Sequence, residues 1–402
     1  MERYEAGNGT SGRGTNFRVV VAPDSFKGSL SSVDAAEAIR SGIRRAVPDA
    51  EVVIVPMADG GEGTVDAVLA AAGGERIEAE VTGPLGEPVR AAYGLLPDGR
   101  TAVIEMAAAS GLPLVGTNER DPLRATTYGT GQLIRDALDR GVQRILIGLG
   151  GSATNDGGMG MAQALGVRFA DAEGRELAAG RGCGGELERI ASIDASGLDP
   201  RFAAAEVTVL SDVTNPLCGP DGASPVYGPQ KGATPEMVER LDRGLAHYAE
   251  RIAALNGRQV AEVPGAGAAG GLGAGLLAFG RTEMQSGIRV VMELAGFGRA
   301  AEGAALVITG EGRTDGQTAF GKVPAGIAEA AGVHGVPVVC LSGGLGDGAE
   351  ALYDRGIAAL FSIANRPMTL DEAMGDAAAL LAEAAENIVR LYRAGLGARA
   401  GG

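Results

Sequence analysis

The chain is short of the residue types that usually direct enzyme chemistry. Cysteine occurs three times in 402 residues, at Cys183, Cys218 and Cys340. The three are widely spaced, odd in number and free of any CxxC or Cys/His pattern, which excludes a disulfide framework or zinc site and points to reduced thiols in a cytoplasmic protein. Histidine occurs twice; His247 falls in an amphipathic helical stretch and His334 in a helix-to-strand turn, neither beside a motif. No serine stands in a GxSxG elbow and no cysteine has a base nearby, so general-base work falls to carboxylates. No apolar run approaches the ~18 residues of a membrane span. The opening Met1–Asn16 lacks the apolar core of a signal peptide, and its Gly, Ser, Thr and Asn content reads as a disordered leader. Lysine is scarcest for its class: of 35 basic residues, all but Lys27, Lys231 and Lys322 are arginine.

What is present is acidic and rich in glycine. A formal charge of −15 repels nucleic acid and anionic membrane alike, so any anionic ligand is held by a local site. At ~150 residues per domain the length suits two or three domains with a sizeable core. Glycine is 67 of 402 with 45% of the chain apolar, which is neither collagen nor disorder and places the glycines in loops. Arg-biased codon usage explains few lysines but not where they stand. Each is next to glycine in a polar loop (SFKGS, PQKGA, FGKVP), where a compact ammonium can serve as a point charge on a phosphate.

The β-branched run 17–22 predicts a buried strand ending in the turn 23–29, and Ser31 with Asp34 predicts a capped helix that Pro48 ends. A strand over 51–55, the loop 57–64 and a helix to about 72 complete a βαβα rhythm, hence a parallel sheet. From 76 to 106 the turns at 83–86 and 97–99 suit an antiparallel meander. Helices near 131–140, 159–165 and 235–255 follow, with strands at 144–149 and 206–210. The parallel rhythm returns with a helix 290–302, strand 305–309, helix 323–332, strands 336–341 and 357–363, and a terminal helix 370–394. The fold expected is α/β: a doubly wound, Rossmann-like parallel-sheet domain built from both chain ends (17–80 plus 286–402), with an inserted α/β domain (81–285) and a cleft between them.

Ligands of open α/β sheets bind outside the carboxyl ends of the strands. Those ends carry Asp24, Ser25 and Lys27; Asp59 and Glu62; Glu311, Arg313 and Asp315; Ser342-Gly343-Gly344; and Asn365. Asp, Ser and Gly are ordinary turn residues, which accounts for one such loop better than for all of them. Strand 144–149 runs into Gly150-Gly151-Ser152-Ala153-Thr154-Asn155-Asp156-Gly157-Gly158 and a helix, an arrangement suited to binding phosphate on backbone N–H groups. Two look-alikes fail on context. Gly265–Gly270 spells GxGxxG but follows a poor strand, and Gly316–Lys322 spells GxxxxGK with Val323 where a Mg²⁺-binding hydroxyl belongs. Carboxylates, lysines and a phosphate loop without histidine suit phosphoryl transfer, in which one Asp accepts the proton of a substrate hydroxyl.

The segments APDSFKGSLSS (22–32), MADGGEGT (57–64), GTGQLI (129–134), GGSATNDGGMG (150–160), DVTNPLCG (212–219), GPQKGA (228–233), PGAGAAGGLG (264–273) and TGEGRTDGQTAFGK (309–322) resemble, in order and spacing, the bacterial glycerate kinase family of the type I kind. The resemblance spans 17 to about 390. It implies ATP-dependent, Mg²⁺-assisted phosphorylation of D-glycerate, commonly to the 2-phosphate, by a cytoplasmic enzyme that binds small molecules rather than nucleic acid or membrane; a homo-oligomer is left open. Chemistry then assigns Asp24, Lys27, Asp59, Lys231, Glu311 and Lys322 to catalysis, with Asp24, Asp59 and Glu311 competing for the base. It assigns Gly150, Gly151, Ser152, Thr154, Asn155, Asp156 and Gly157 to nucleotide phosphates, Ser25, Glu62, Arg313 and Asp315 to the acceptor, and Asp212 and Asn215 to Mg²⁺. A non-enzymatic small-acid binding or sensor protein, and a dinucleotide-dependent oxidoreductase resting on the GxGxxG, stand as alternatives.

Overall fold

The computed structural model describes residues 17–177, 182–319 and 321–400; the leader expected at 1–16 lies outside them. In chain order the strands are β1 (Arg18–Pro23), β2 (Glu51–Ile54), β3 (Glu75–Thr82), β4 (Pro88–Leu95), β5 (Thr101–Glu105), β6 (Arg144–Gly148), β7 (Arg168–Ala170), β8 (Ser192–Asp194), β9 (Glu206–Leu210), β10 (Arg281–Gln285), β11 (Leu306–Thr314), β12 (Val338–Leu345) and β13 (Ile357–Ser362). The first sheet has the order β13-β12-β11-β1-β2 and is parallel throughout. Both ends of the chain build it, with β1 paired directly to β11. The second sheet, β10-β9-β6-β5-β4-β3, comes from the segment between. It is parallel from β5 to β10 and antiparallel where β3, β4 and β5 form the meander; β7 and β8 make a small ribbon.

Because helices cover both faces of the first sheet, its central strands are apolar without alternation. Val19 and Val21 of β1 pack with Ile39 and Ile43 of helix Ser32–Ala46 and with Leu381 and Val389 of the terminal helix. Val20 and Ala22 face the other way, toward helices Thr64–Ala72 and Gly287–Leu294, whose Val65, Val68, Ile288 and Val291 also meet Val103 of the second sheet. Those helices fill the space between the sheets. The far face of the second sheet is closed by helices Tyr128–Asp139, Pro235–Asn256 and Ala268–Phe279. Ser31 caps the first helix, its hydroxyl accepting from Asp34 N–H at 3.1 Å, and extended Val47 ends it before Pro48.

Some elements differ from the sequence reading. The helix expected over 290–302 is two, Gly287–Leu294 and Phe297–Ala301, broken where Gly296 takes φ 65°. The terminal helix is likewise divided, at Asp376, into Leu370–Gly375 and Ala377–Ala400. The strand expected to stop at Thr309 runs on to Thr314, pairing Glu311 with Ser342 and Arg313 with Gly344. Gly310 permits this: a Cβ there would lie 2.0 Å from the Leu341 carbonyl oxygen.

Candidate active site

The first sheet reverses its winding between β1 and β11, the switch point where open α/β sheets hold ligands. Asp24 and Glu311 stand there. Pro23 pairs with Gly310 and Asp24 N–H donates to the Gly310 carbonyl at 2.8 Å, so the next residues on the two strands lie side by side, both buried. Asp24 Oδ1 accepts from Ser25 N–H at 2.6 Å. Burial, then the charges of Asp59 and Glu311, push the Asp24 carboxyl up to about 7 against the opposing pull of Ser25 N–H and Lys27. Glu311 is raised by burial and restrained by hydroxyls and Lys322. Thr318 donates to its Oε1 at 2.6 Å and Thr314 at 3.1 Å.

The loop after β2 brings Asp59 across to the second sheet by backbone contact. A Cβ on Gly148 would sit 2.2 Å from the Gly60 carbonyl oxygen, and one on Gly287 would sit 2.1 Å from that of Asp59. Asp59 Oδ1 accepts Gly61 N–H at 3.1 Å, closing the turn. Loops from both sheets thereby line one cavity of about 600 Å³, among them Lys27, Asp59, Glu62, Gly150, Gly151, Ser152, Asp212, Lys231 and Lys322. A second cavity of about 460 Å³ adjoins it, lined by Asp24, Ser25, Lys27, Glu311, Arg313, Asp315 and Lys322 on its polar side and by Ile363, Leu370 and Met374 on its apolar side. Lys27 and Lys322 belong to both. A larger cavity of about 1020 Å³ lies at the starts of β6, β9 and β10; none of the expected site residues lines it.

Within the glycine-rich loop, Gly150 and Gly151 are exposed and Ser152 is at the cavity wall, whereas Thr154, Asn155 and Asp156 are wholly buried behind it. Asp156 accepts Thr127 N–H (2.8 Å), Thr127 hydroxyl (2.7 Å), Gly158 N–H (3.0 Å) and Gly160 N–H (3.2 Å). Asn155 donates to Ser224 at 3.0 Å, and Gly157, at φ 63°, lies under the Tyr248 ring. These residues fix the loop's shape rather than line the cavity. Lys231, buried beneath the same loop, donates to Ser152 Oγ at 2.8 Å and to the Thr154 carbonyl at 2.7 Å. Burial pulls its ammonium down to about 7, against the pull of Asp156.

The remaining expected residues divide. Ser25 Oγ is buried without a hydrogen-bond partner, and Arg313 lies 3.5 Å from Asp315. Asp212 is near enough to Asp59 for their charges to repel. Asn215 is engaged elsewhere, donating to the Asp221 carbonyl (2.8 Å) and accepting from Tyr227 hydroxyl (2.7 Å), and does not line either cavity. Among the described residues no cluster of three or more His, Cys, Asp or Glu is arranged to hold a metal, and no helix is long and apolar enough to cross a membrane.

Sequence reasoning missed Thr314 and Thr318, although both lie inside the 309–322 segment. It also passed over Ala268 and Ala269, which line the larger site cavity. Ala269 is left-handed (φ 54°), as are Gly270 and Gly271; a Cβ on Gly270 would lie 2.0 Å from the Thr154 carbonyl oxygen. This turn braces the phosphate-loop candidate, and the residues before it form no strand, so no dinucleotide fingerprint is built.

A switch-point cleft carrying lysines, carboxylates and a glycine loop defines a small-molecule phosphotransferase of the α/β class. The model of the glycerate kinase family matches residues 19–393, and the chain belongs to that family and is an enzyme of that activity. It is 52% identical to the glycerate kinase of Halalkalibacterium halodurans over 92% of this chain and 97% of that one. It is 50% identical to glycerate 2-kinase of Escherichia coli over 94% and 99%. A crystal structure assigned to glycerate kinase 2 of Salmonella typhimurium LT2 superposes with a TM-score of 0.84 at 49% identity, covering 95% of this chain and 99% of that one.

Proposed function

We propose that this chain transfers the γ-phosphoryl group of ATP to a hydroxyl of D-glycerate in the cytoplasm, giving 2-phosphoglycerate rather than 3-phosphoglycerate. The observation that carries the reading is that two cavities meet at Lys27 and Lys322: one for the donor, one for the acceptor, with cations where the phosphoryl group crosses. The nucleotide phosphates lie along Gly150, Gly151 and Ser152, a loop that Lys231 holds from beneath, while Glu62 borders the same cavity. Glycerate lies in the smaller cavity, its hydroxyls toward Asp24 and the unpartnered Ser25 and its carboxylate toward Arg313 and Lys27. The name of the Escherichia coli relative supports the 2-phosphate.

The donor set fits Mg²⁺ in its usual phosphate-dependent mode, one or two carboxylates with the remaining positions left to phosphate and water. Asp212 and Asp59 would hold it, and Asn215 would join only by giving up Tyr227. When bound, the ion would neutralise developing charge on the phosphate oxygens. We also carry the division into 17–80 plus 286–402 and 81–285 as a proposal, with the pairing of β3 into the second sheet drawing the first crossing toward residue 74.

Phosphorus NMR of the product formed from ATP, Mg²⁺ and D-glycerate tests the reading. A phosphate on the carbon-2 oxygen with equimolar ADP is expected; a 3-phosphate overturns the regiochemistry, and ADP without phosphoglycerate overturns the acceptor.

A further inference from the structure

The reaction needs one group to take the hydroxyl proton, and three carboxylates are near enough to compete. Two of them are held differently from the third. Asp24 follows the end of β1 and Glu311 lies within β11 beside it; they are 6% and 7% exposed and stand abreast at the switch point. Asp24 commits Oδ1 to Ser25 N–H, and no hydrogen bond joins its Oδ2 among the described residues. Glu311 commits Oε1 to two hydroxyls, from Thr318 and Thr314, and Thr314 is itself 2.7 Å from Ser342. The charged groups facing Asp24 are Asp59 from the loop after β2, Lys27 from its own turn and Glu311 from β11; those facing Glu311 are Lys322 and Asp59 as well. Hydroxyl donors and Lys322 oppose the burial that raises Glu311, and Glu311 stands beside Asp24 across the strand pair.

Resting on the glycerate kinase reading, we propose that Asp24 and Glu311 are a carboxylate dyad in which Asp24 is the base and Thr318, acting through Glu311, is a positioning residue. The glycerate O–H bond breaks as its oxygen bonds the γ-phosphorus. The bond from that phosphorus to the bridging oxygen breaks, ADP leaves with the electron pair, and the proton rests on Asp24 Oδ2. Burial, Asp59 and the neighbouring Glu311 raise the proton affinity of Asp24 toward neutrality, where a general base works best.

The test compares kcat and kcat/KM between pH 5 and 9 for the full-length wild type, Asp24→Asn, Glu311→Gln, Thr318→Val and Thr318→Ser, each first checked for a native circular dichroism spectrum and melt. Asp24→Asn is expected to lose ~100-fold or more in kcat with the KM for ATP nearly unchanged. Glu311→Gln removes a charge beside Asp24 and moves the acidic limb to lower pH. Thr318→Val strips a donor from the Glu311 anion, so the pair takes its first proton more readily and the limb moves to higher pH, with kcat down about tenfold; Thr318→Ser restores both. Opposite movements of the limb are not produced by general loosening of the site. Asp24→Asn within tenfold of wild type, or a limb unmoved in both Glu311→Gln and Thr318→Val, overturns the dyad. If Asp24→Asn fails to fold, the Glu311 and Thr318 profiles decide alone. An active wild type with unmoved limbs sinks the dyad only, whereas a wild type that makes no phosphoglycerate sinks the reading beneath it.

Discussion

Lys231 is unlike the other two lysines. Its ammonium is enclosed and spends its hydrogen bonds on Ser152 and Thr154, whereas Lys27 is exposed and Lys322 half-buried at the mouth of two cavities. Arginine keeps the charge but moves it, and a misplacement of ~1 Å can cost ~100-fold in rate. Lys27→Arg and Lys322→Arg are therefore expected to lose at least about tenfold in kcat/KM, ~1.4 kcal/mol of transition-state stabilisation, with little change in melting temperature. Lys231→Arg must also fit a larger head into a closed space and is expected to melt earlier as well. Steady-state kinetics beside differential scanning fluorimetry checks all three, and full activity in the first two would return those lysines to the surface. Asp24 carries a stability cost of opposite sign to most carboxylates. Its native proton affinity lies above the ordinary value, so the native state binds more protons between pH ~4 and ~7 and stability falls as pH rises through that window. Asp24→Asn removes the buried charge and is expected to stabilise the protein at pH 8 by up to ~2–4 kcal/mol, the gain shrinking to nothing near pH 4. Urea unfolding at the two pH values decides it; equal effects at both would mean Asp24 is not raised.

Backbone contact rather than side-chain packing ties the Asp59 loop to the second sheet. Gly148→Ala would drive a methyl group onto the Gly60 carbonyl and is expected to cost ~1–3 kcal/mol. It should also lower turnover, because the loop that carries Asp59 must shift; a variant melting like wild type would show that the loop yields freely. The phosphate-loop candidate separates in the same way. Gly151 is exposed but left-handed (φ 75°), so Gly151→Val is expected to cost ~1–2 kcal/mol of backbone strain and to raise the KM for ATP in a protein that still folds. Gly157→Val meets Tyr248 at 2.6 Å and is expected to unfold. Turn composition made both positions look alike, and only the neighbours across the chain separate them. The extension of β11 was hidden for a related reason: TGEGRT and SGGLG read locally as loop, yet glycines let β11 and β12 approach and stay paired as far as Leu345.

At the scale of the molecule, a net charge of −15 surrounds a cleft whose cations come from both sheets, so ligands that bridge the cleft should stabilise the whole. ATP with Mg²⁺ at ~100 times its Kd is expected to add ~2.7 kcal/mol, with hydrogen-exchange protection gathered in 57–63, 149–153 and 316–322. Protection centred instead on the starts of β6, β9 and β10 would move the nucleotide to the larger cavity there.

The alternation of β-branched runs with capped amphipathic stretches, and the polar, glycine-rich close of each strand, were enough for the sequence to determine the α/β class and the shared first sheet, while eight ordered segments carried the resemblance to the family. These are local patterns repeated in order, and burial on both faces of a parallel sheet leaves them little freedom. Tertiary structure alone decided which residues of one motif face solvent and which face the core. It turned Gly150 and Gly151 outward and Asn155 and Asp156 inward, enclosed Lys231, directed Asn215 to Tyr227, and placed the Thr314 and Thr318 hydroxyls on Glu311. Such choices depend on partners more than 50 residues away for Asn155, at Ser224, or on the path of a single turn, and a chain read one segment at a time contains neither.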